Sequence, residues 1–130
     1  MTARPVRRDR IPACTYCEPQ IGSVGLTEAQ AKAAGLEVKI GKFPFSANSK
    51  ASIVGSHEGF IKIVADAKYG EVIGVHIIGP QATELVAEAV VAMELEATIE
   101  ELMFTIHAHP TVAEALLDGF SAVEGMPINV

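Results

Sequence analysis

The alternation of apolar and polar positions is sharpest in GFIKIVADAKYGEVIGVHIIGP, where two Val- and Ile-rich runs flank a break at Lys68, Tyr69 and Gly70. Apolar runs of that length on either side of a turn predict an antiparallel hairpin, closed by Gly79 and Pro80. The period then changes. Leu85, Val86, Ala89, Val90 and Met93 recur at helical spacing, with Glu84 and Glu88 one turn apart on the face left to water. Upstream, residues 11–26 read as one or two short strands broken by Pro19 and by Gly22 and Gly25, and LEVKIGKFPF alternates as a strand until Pro44. Between them TEAQAKAAG carries the marks of a short helix: Thr27 as N-cap, Gln30 to close a capping box, and Gly35 to end it. SANSKASIVGSHE, 46–58, is polar and uneven, which suits a helical turn and a loop. Downstream, Thr98 and Glu101 open a helix over TIEELMFT, and Val112, Leu116, Phe120 and Val123 share one face of a last helix ended by Gly125. Strands first and helices later, around a central hairpin, is the order of an α+β fold: a mainly antiparallel sheet with helices packed on one side.

Composition changes this picture in one respect. The chain has 130 residues, 49% of them apolar but only 5% aromatic, so one aliphatic core is enough and some apolar surface is left over for a partner. The formal net charge of −6 argues against nucleic acid and anionic membranes, which need a basic face. Arg4, Arg7, Arg8 and Arg10 crowd the first ten residues, but Pro5 and Asp9 interrupt them; 1–10 reads as a flexible basic tail or linker remnant, with the domain over 11–130. No apolar run suits a signal peptide or approaches the roughly 18 residues of a membrane span, so a soluble, cytoplasmic chain is expected.

Two stretches carry candidate chemistry. Cys14 and Cys17 spell C-x-x-C, but no second ligand pair follows for a zinc site. ACTYC reads as a strand rather than a helix N-terminus, so two buried or half-buried thiols are expected and no metal. HAHPTVAE, His107 to Glu114, has two readings. Thr111 and Glu114 are a T-x-x-E capping box behind Pro110, which alone would explain Glu114. Equally, a histidine before proline is pushed out of the helical region, leaving His109 in extended backbone at the mouth of a helix with Glu114 in reach of one ring nitrogen. That is the arrangement of a general base oriented by a carboxylate. His107 shares a side with His109 and reads as a helix-end histidine; His57 and His76 have no partner in sequence.

Taken together, IPACTY, SVGLTEAQAKAAG, KFPFSAN, GFIKIVADAKYGEVIGVHIIGPQATEL and TIHAHPTVAEAL resemble the C-terminal dimerisation domain of the pyridine nucleotide–disulfide oxidoreductases, and within that family its dihydrolipoamide dehydrogenase branch. The resemblance covers residues 11 to 130. It implies an α+β sandwich, a homodimer, and a His–Glu pair delivered to the flavin and redox disulfide of the other subunit. His109 would then be the acid/base for a dihydrolipoamide thiol and Glu114 its partner, with lipoyl substrate linking the enzyme to a 2-oxo acid dehydrogenase-type complex. FAD and NAD belong to the full-length family enzyme; this chain has no G-x-G-x-x-G and no C-x-x-x-x-C, so it is expected to bind neither cofactor and to be inactive alone. Glu96 stands where the family often has a glycine. The closing residues look like a natural C-terminus and the opening ones do not look like the start of the enzyme, so a fragment or a free-standing interface domain is expected. The rival expectation is a dimerisation or interaction module in which Glu114 is a cap.

Overall fold

In the computed structural model, which describes residues 2–129, the two Val/Ile runs pair as β4 (Phe60–Asp66) and β5 (Val72–Gly79). Asp66 shapes the turn between them by accepting from the backbone N–H groups of Lys68 and Tyr69. On the outer side of β4 runs β3 (Val38–Pro44), and on the outer side of β5 run β2 (Gln20–Gly25) and then β1 (Ala13–Thr15). Every neighbouring pair is antiparallel, in the order β1-β2-β5-β4-β3.

Alternation along the strands puts Phe43, Ile61, Ile63, Val75 and Ile77 on one face, all nearly or wholly buried. That face is covered by α3 (Ala82–Glu94) and α5 (Glu114–Val123), with Leu116 and Phe120 fully buried against it. Each such side chain contributes roughly 1.5–3 kcal/mol of burial. Two glycines let the helices approach. A Cβ on Gly22 would run into the Ala82 carbonyl of α3, and one on Gly41 into the Gly119 carbonyl of α5. The short α1 (Glu28–Ala33) is joined to the sheet by Glu28, which pairs with Lys62 of β4 at 2.7 Å.

The capping residues do what their sequence offers. Thr27 accepts from the Gln30 N–H while the Gln30 side chain accepts from the Thr27 N–H. Asn48 caps α2 (Ser49–Ile53), and the Glu101 carboxylate accepts from Thr98 at the start of α4 (Ile99–Met103). The end of α3 follows a Schellman pattern, with Ala97 N–H donating to Ala92 O and Glu96 N–H to Met93 O. Glu96 holds the left-handed position at φ 55°, which suits glycine better.

Within the stretch expected to be a tail, Arg8–Arg10 form a 3-10 turn in which Arg10 is buried with Nη2 3.6 Å from both Glu71 and Glu96. One expectation needs correction. The first strand stops at Thr15, so Cys17 lies beyond it: Cys14 is half-buried against the core, whereas Cys17 is exposed with its thiol 3.0 Å from the Pro19 carbonyl.

Candidate functional site

The segment between α4 and α5 carries the HAHPT stretch, and its geometry is built from side chains that reach back to the backbone. Thr111 and Glu114 form the expected reciprocal pair: the Thr111 N–H donates to Glu114 Oε2 at 2.9 Å, and the Glu114 N–H to Thr111 Oγ1 at 3.3 Å. The Thr111 hydroxyl in turn donates to the Ala108 carbonyl at 2.8 Å, drawing the histidine segment onto the helix mouth. The His109–Pro110 peptide is cis.

His109 and Glu114 come together. Nδ1 of His109 lies 3.0 and 3.1 Å from the two carboxylate oxygens of Glu114, so one carboxylate serves both the helix cap and the imidazole. The capping and base-orienting readings are therefore compatible. Burial pushes the Glu114 carboxyl up, but the Thr111 N–H, the His109 bond and, when those rings are protonated, the charges of His109 and His107 outweigh it and hold the group below its ordinary value. An ionised carboxylate only accepts, so Nδ1 is the donor and the neutral ring keeps Nε2 bare. The His109 side chain is 70% exposed whereas that of Glu114 is 18%: the orienting group is sheltered and the presented nitrogen faces outward.

Two further residues, Glu88 and Asn48, shape this site without having been legible as members of it. Glu88, expected on the water-facing side of α3, meets His107: Oε1 lies 2.8 Å from His107 Nε2, while His107 Nδ1 lies 2.9 Å from the Thr105 carbonyl. The His107 side chain is 8% exposed. Asn48, buried, donates from Nδ2 to the Thr111 carbonyl at 3.1 Å while its Oδ1 accepts from Ala51 N–H. Neither its capping role nor its second bond, 63 residues away, enters the sequence reading of 46–58 as a turn and a loop.

The other singled-out residues lie apart from this segment. His76 on β5 bonds across the strands to the Ser23 hydroxyl, and its Nε2 lies 3.0 Å from the Leu26 carbonyl. Because that carbonyl only accepts, Nε2 carries the proton and Nδ1 receives the Ser23 hydroxyl. His57 lies in the 54–59 loop beside Glu58, in a cleft shared with Glu18 and Pro19. Among the described residues no group of three or more His, Cys, Asp or Glu side chains is arranged to hold a metal ion, and no helix is long and apolar enough to cross a membrane. The cleft at Tyr69, Thr98 and Met103, about 330 Å³, is not lined by His109.

Residues 11–119 match the family described as pyridine nucleotide-disulphide oxidoreductase, dimerisation domain. The dihydrolipoyl dehydrogenase of Rhizobium etli is 49% identical over 96% of this chain and 26% of its own length. That of Bacillus subtilis is 46% identical over 99% of this chain and 27% of its own. Among solved structures, LpdA from Mycobacterium tuberculosis superimposes with a TM-score of 0.85 at 25% identity, over 92% of this chain and 26% of that one. The chain thus spans about a quarter of the length of the relatives it matches.

Proposed function

This chain belongs to the pyridine nucleotide-disulphide oxidoreductase dimerisation-domain family, and from that premise we propose that it is the interface domain of a dihydrolipoyl dehydrogenase, supplying a His–Glu acid/base pair to a site completed by a second subunit. One observation carries the reading: His109 is oriented by Glu114 through Nδ1 and presents a bare Nε2 to the outside.

The chemistry follows from that tautomer. A thiol of dihydrolipoamide approaching Nε2 gives up its proton to the ring, and the imidazolium that forms is stabilised by the Glu114 carboxylate. The resulting thiolate is the species that attacks a disulfide sulfur, which the parent thiol does poorly at neutral pH. Flavin held in the enzyme's other domains would supply the redox chemistry that connects this exchange to NAD. The high exposure of His109 fits a group waiting for surfaces that other domains and a partner subunit supply. The enzyme would be a cytoplasmic homodimer serving a 2-oxo acid dehydrogenase-type complex, and this chain alone would be colourless and inactive.

The test is a chimera in which this chain replaces the matching quarter of the Bacillus subtilis relative. His109→Gln should lower dihydrolipoamide oxidation by about 10²–10⁴-fold, the usual contribution of a positioned acid/base. Full activity with dimerisation intact would refute the catalytic reading. It would favour instead a dimerisation module in which Glu114 is a helix cap, a role its bond from Thr111 N–H already supports. A yellow preparation of the chain alone would refute its expected lack of flavin.

A further inference from the structure

We propose that Glu88 and His107 form a positioning pair that sets the direction in which His109 presents its bare nitrogen; this deepens the function proposed above and rests on it. The observation is a second His–carboxylate contact beside the first, made with different hydrogen-bond bookkeeping. His107 Nδ1 faces the Thr105 carbonyl, which only accepts, so this nitrogen carries a proton. A neutral ring would then leave a lone pair at Nε2, yet Nε2 faces a carboxylate oxygen of Glu88 at 2.8 Å. Two lone pairs do not approach so closely, so a further proton lies between Nε2 and Oε1. With that proton on the ring and the carboxylate ionised, the bond is charge-assisted, a class roughly twice as strong as neutral hydrogen bonds.

This division leaves the two histidines with opposite duties. Both nitrogens of His107 are occupied, and its ring is sheltered, so it offers nothing to a substrate. Its neighbours Phe104 and Ile106 are 74% and 96% exposed and give the segment little packing of their own. The pair therefore fastens the segment to α3 two residues before His109. The Thr111 hydroxyl on the Ala108 carbonyl then fixes the intervening residue from the other side. The positive potential of His107 also reaches Glu114, which places the two pairs within one electrostatic neighbourhood.

Glu88→Ala and Glu88→Gln separate position from charge in the chimera. The glutamine amide can donate to Nε2 while Nδ1 keeps its proton on Thr105, so the segment stays fastened with a neutral ring. Glu88→Ala is expected to lower kcat on the order of 10²-fold, as a misplaced catalytic group does. Glu88→Gln should stay within about tenfold of the parent, the difference between a charged and a neutral hydrogen bond. Parental activity in the alanine variant, or equal losses in both, would overturn the proposal. If His109→Gln proves silent, the functional reading itself has failed, and NMR of the 130-residue chain judges the pair separately. The Nδ1-protonated tautomer of His109, read from its ring nitrogen shifts, should dominate in the parent and in Glu88→Gln but not in Glu88→Ala. Equal tautomer populations in the two variants would overturn the positioning role.

Discussion

The side-chain amide of Asn48 donates to the carbonyl of Thr111 at 3.1 Å, tying the start of α2 to the turn that opens α5. With Oδ1 on Ala51 N–H, one buried side chain serves two helix starts. Asn48→Ala should lose the cap and leave a buried carbonyl without its donor, destabilising the chain by about 2–4 kcal/mol in urea denaturation. Asn48→Asp keeps the acceptor but sets a carboxylate oxygen against the Thr111 carbonyl, and should not recover the loss. A cost below about 0.5 kcal/mol for either variant would show that the tie contributes little.

Acid sensitivity should be traceable to two carboxylates. Glu114 titrates below its ordinary value of 4.5 in the folded chain, and Glu28 is brought to about 2 by its bonds to Lys32 and Lys62. A depressed folded value means that each group's contribution is complete above its unfolded value and is lost as pH falls towards the folded one. For Glu28 the window is therefore from about 4.5 down to about 2. Glu114→Gln and Glu28→Gln should each flatten the fall of Tm with pH below about 4.5 while changing its slope little near neutrality. Melting curves that keep the parent's pH dependence would contradict the assignment.

Glu96 combines two opposing effects, a left-handed backbone at φ 55° and a carboxylate within 3.3 Å of Arg7 and 3.6 Å of Arg10. Glu96→Gln removes the charge and keeps the strain, whereas Glu96→Gly removes both. The glycine variant should therefore be the more stable of the two by about 1 kcal/mol, the cost of a non-glycine residue in this region. Comparing the two denaturation midpoints isolates the backbone contribution, and equal midpoints would mean that the Schellman turn carries no strain.

Pairing between copies is expected from the apolar residues left at the surface, Phe104 and Ile106 among them, next to His107. Sedimentation of the isolated chain should give a dimer, and Ile106→Glu should shift it towards monomer. A monomer at high micromolar concentration would speak against self-association through this face.

What the sequence disclosed follows the range of the interactions involved. The hairpin, the capping pairs at Thr27 and Thr111, and the approach of Glu114 to His109 all depend on residues within a few positions of one another. Periodicity and capping chemistry report on that range. Glu88 looked like one half of a solvated i, i+4 pair with Glu84, because nothing in the chain says that His107, 19 residues on, returns to the same helix. The burial of Arg10 is illegible in the sequence for a similar reason: it depends on carboxylates at Glu71 and Glu96, brought together by the fold. The C-x-x-C stretch failed differently. The strand character of Ala13–Thr15 was correct, and its extension by two residues to Cys17 was not.

The contact of Gly41 with the Gly119 carbonyl sets a mechanical tolerance for the candidate site. Where α5 meets β3 at these glycines, backbone rests on backbone beside the stiff, β-branched Val123, which leaves little rotamer freedom to absorb a displacement. Glu114, at the first turn of the same helix, inherits its position from that seat. Under the proposed function, the accuracy with which this domain would offer an acid/base group to a neighbour is then gauged by the stiffness of its sheet, well away from any reacting atom.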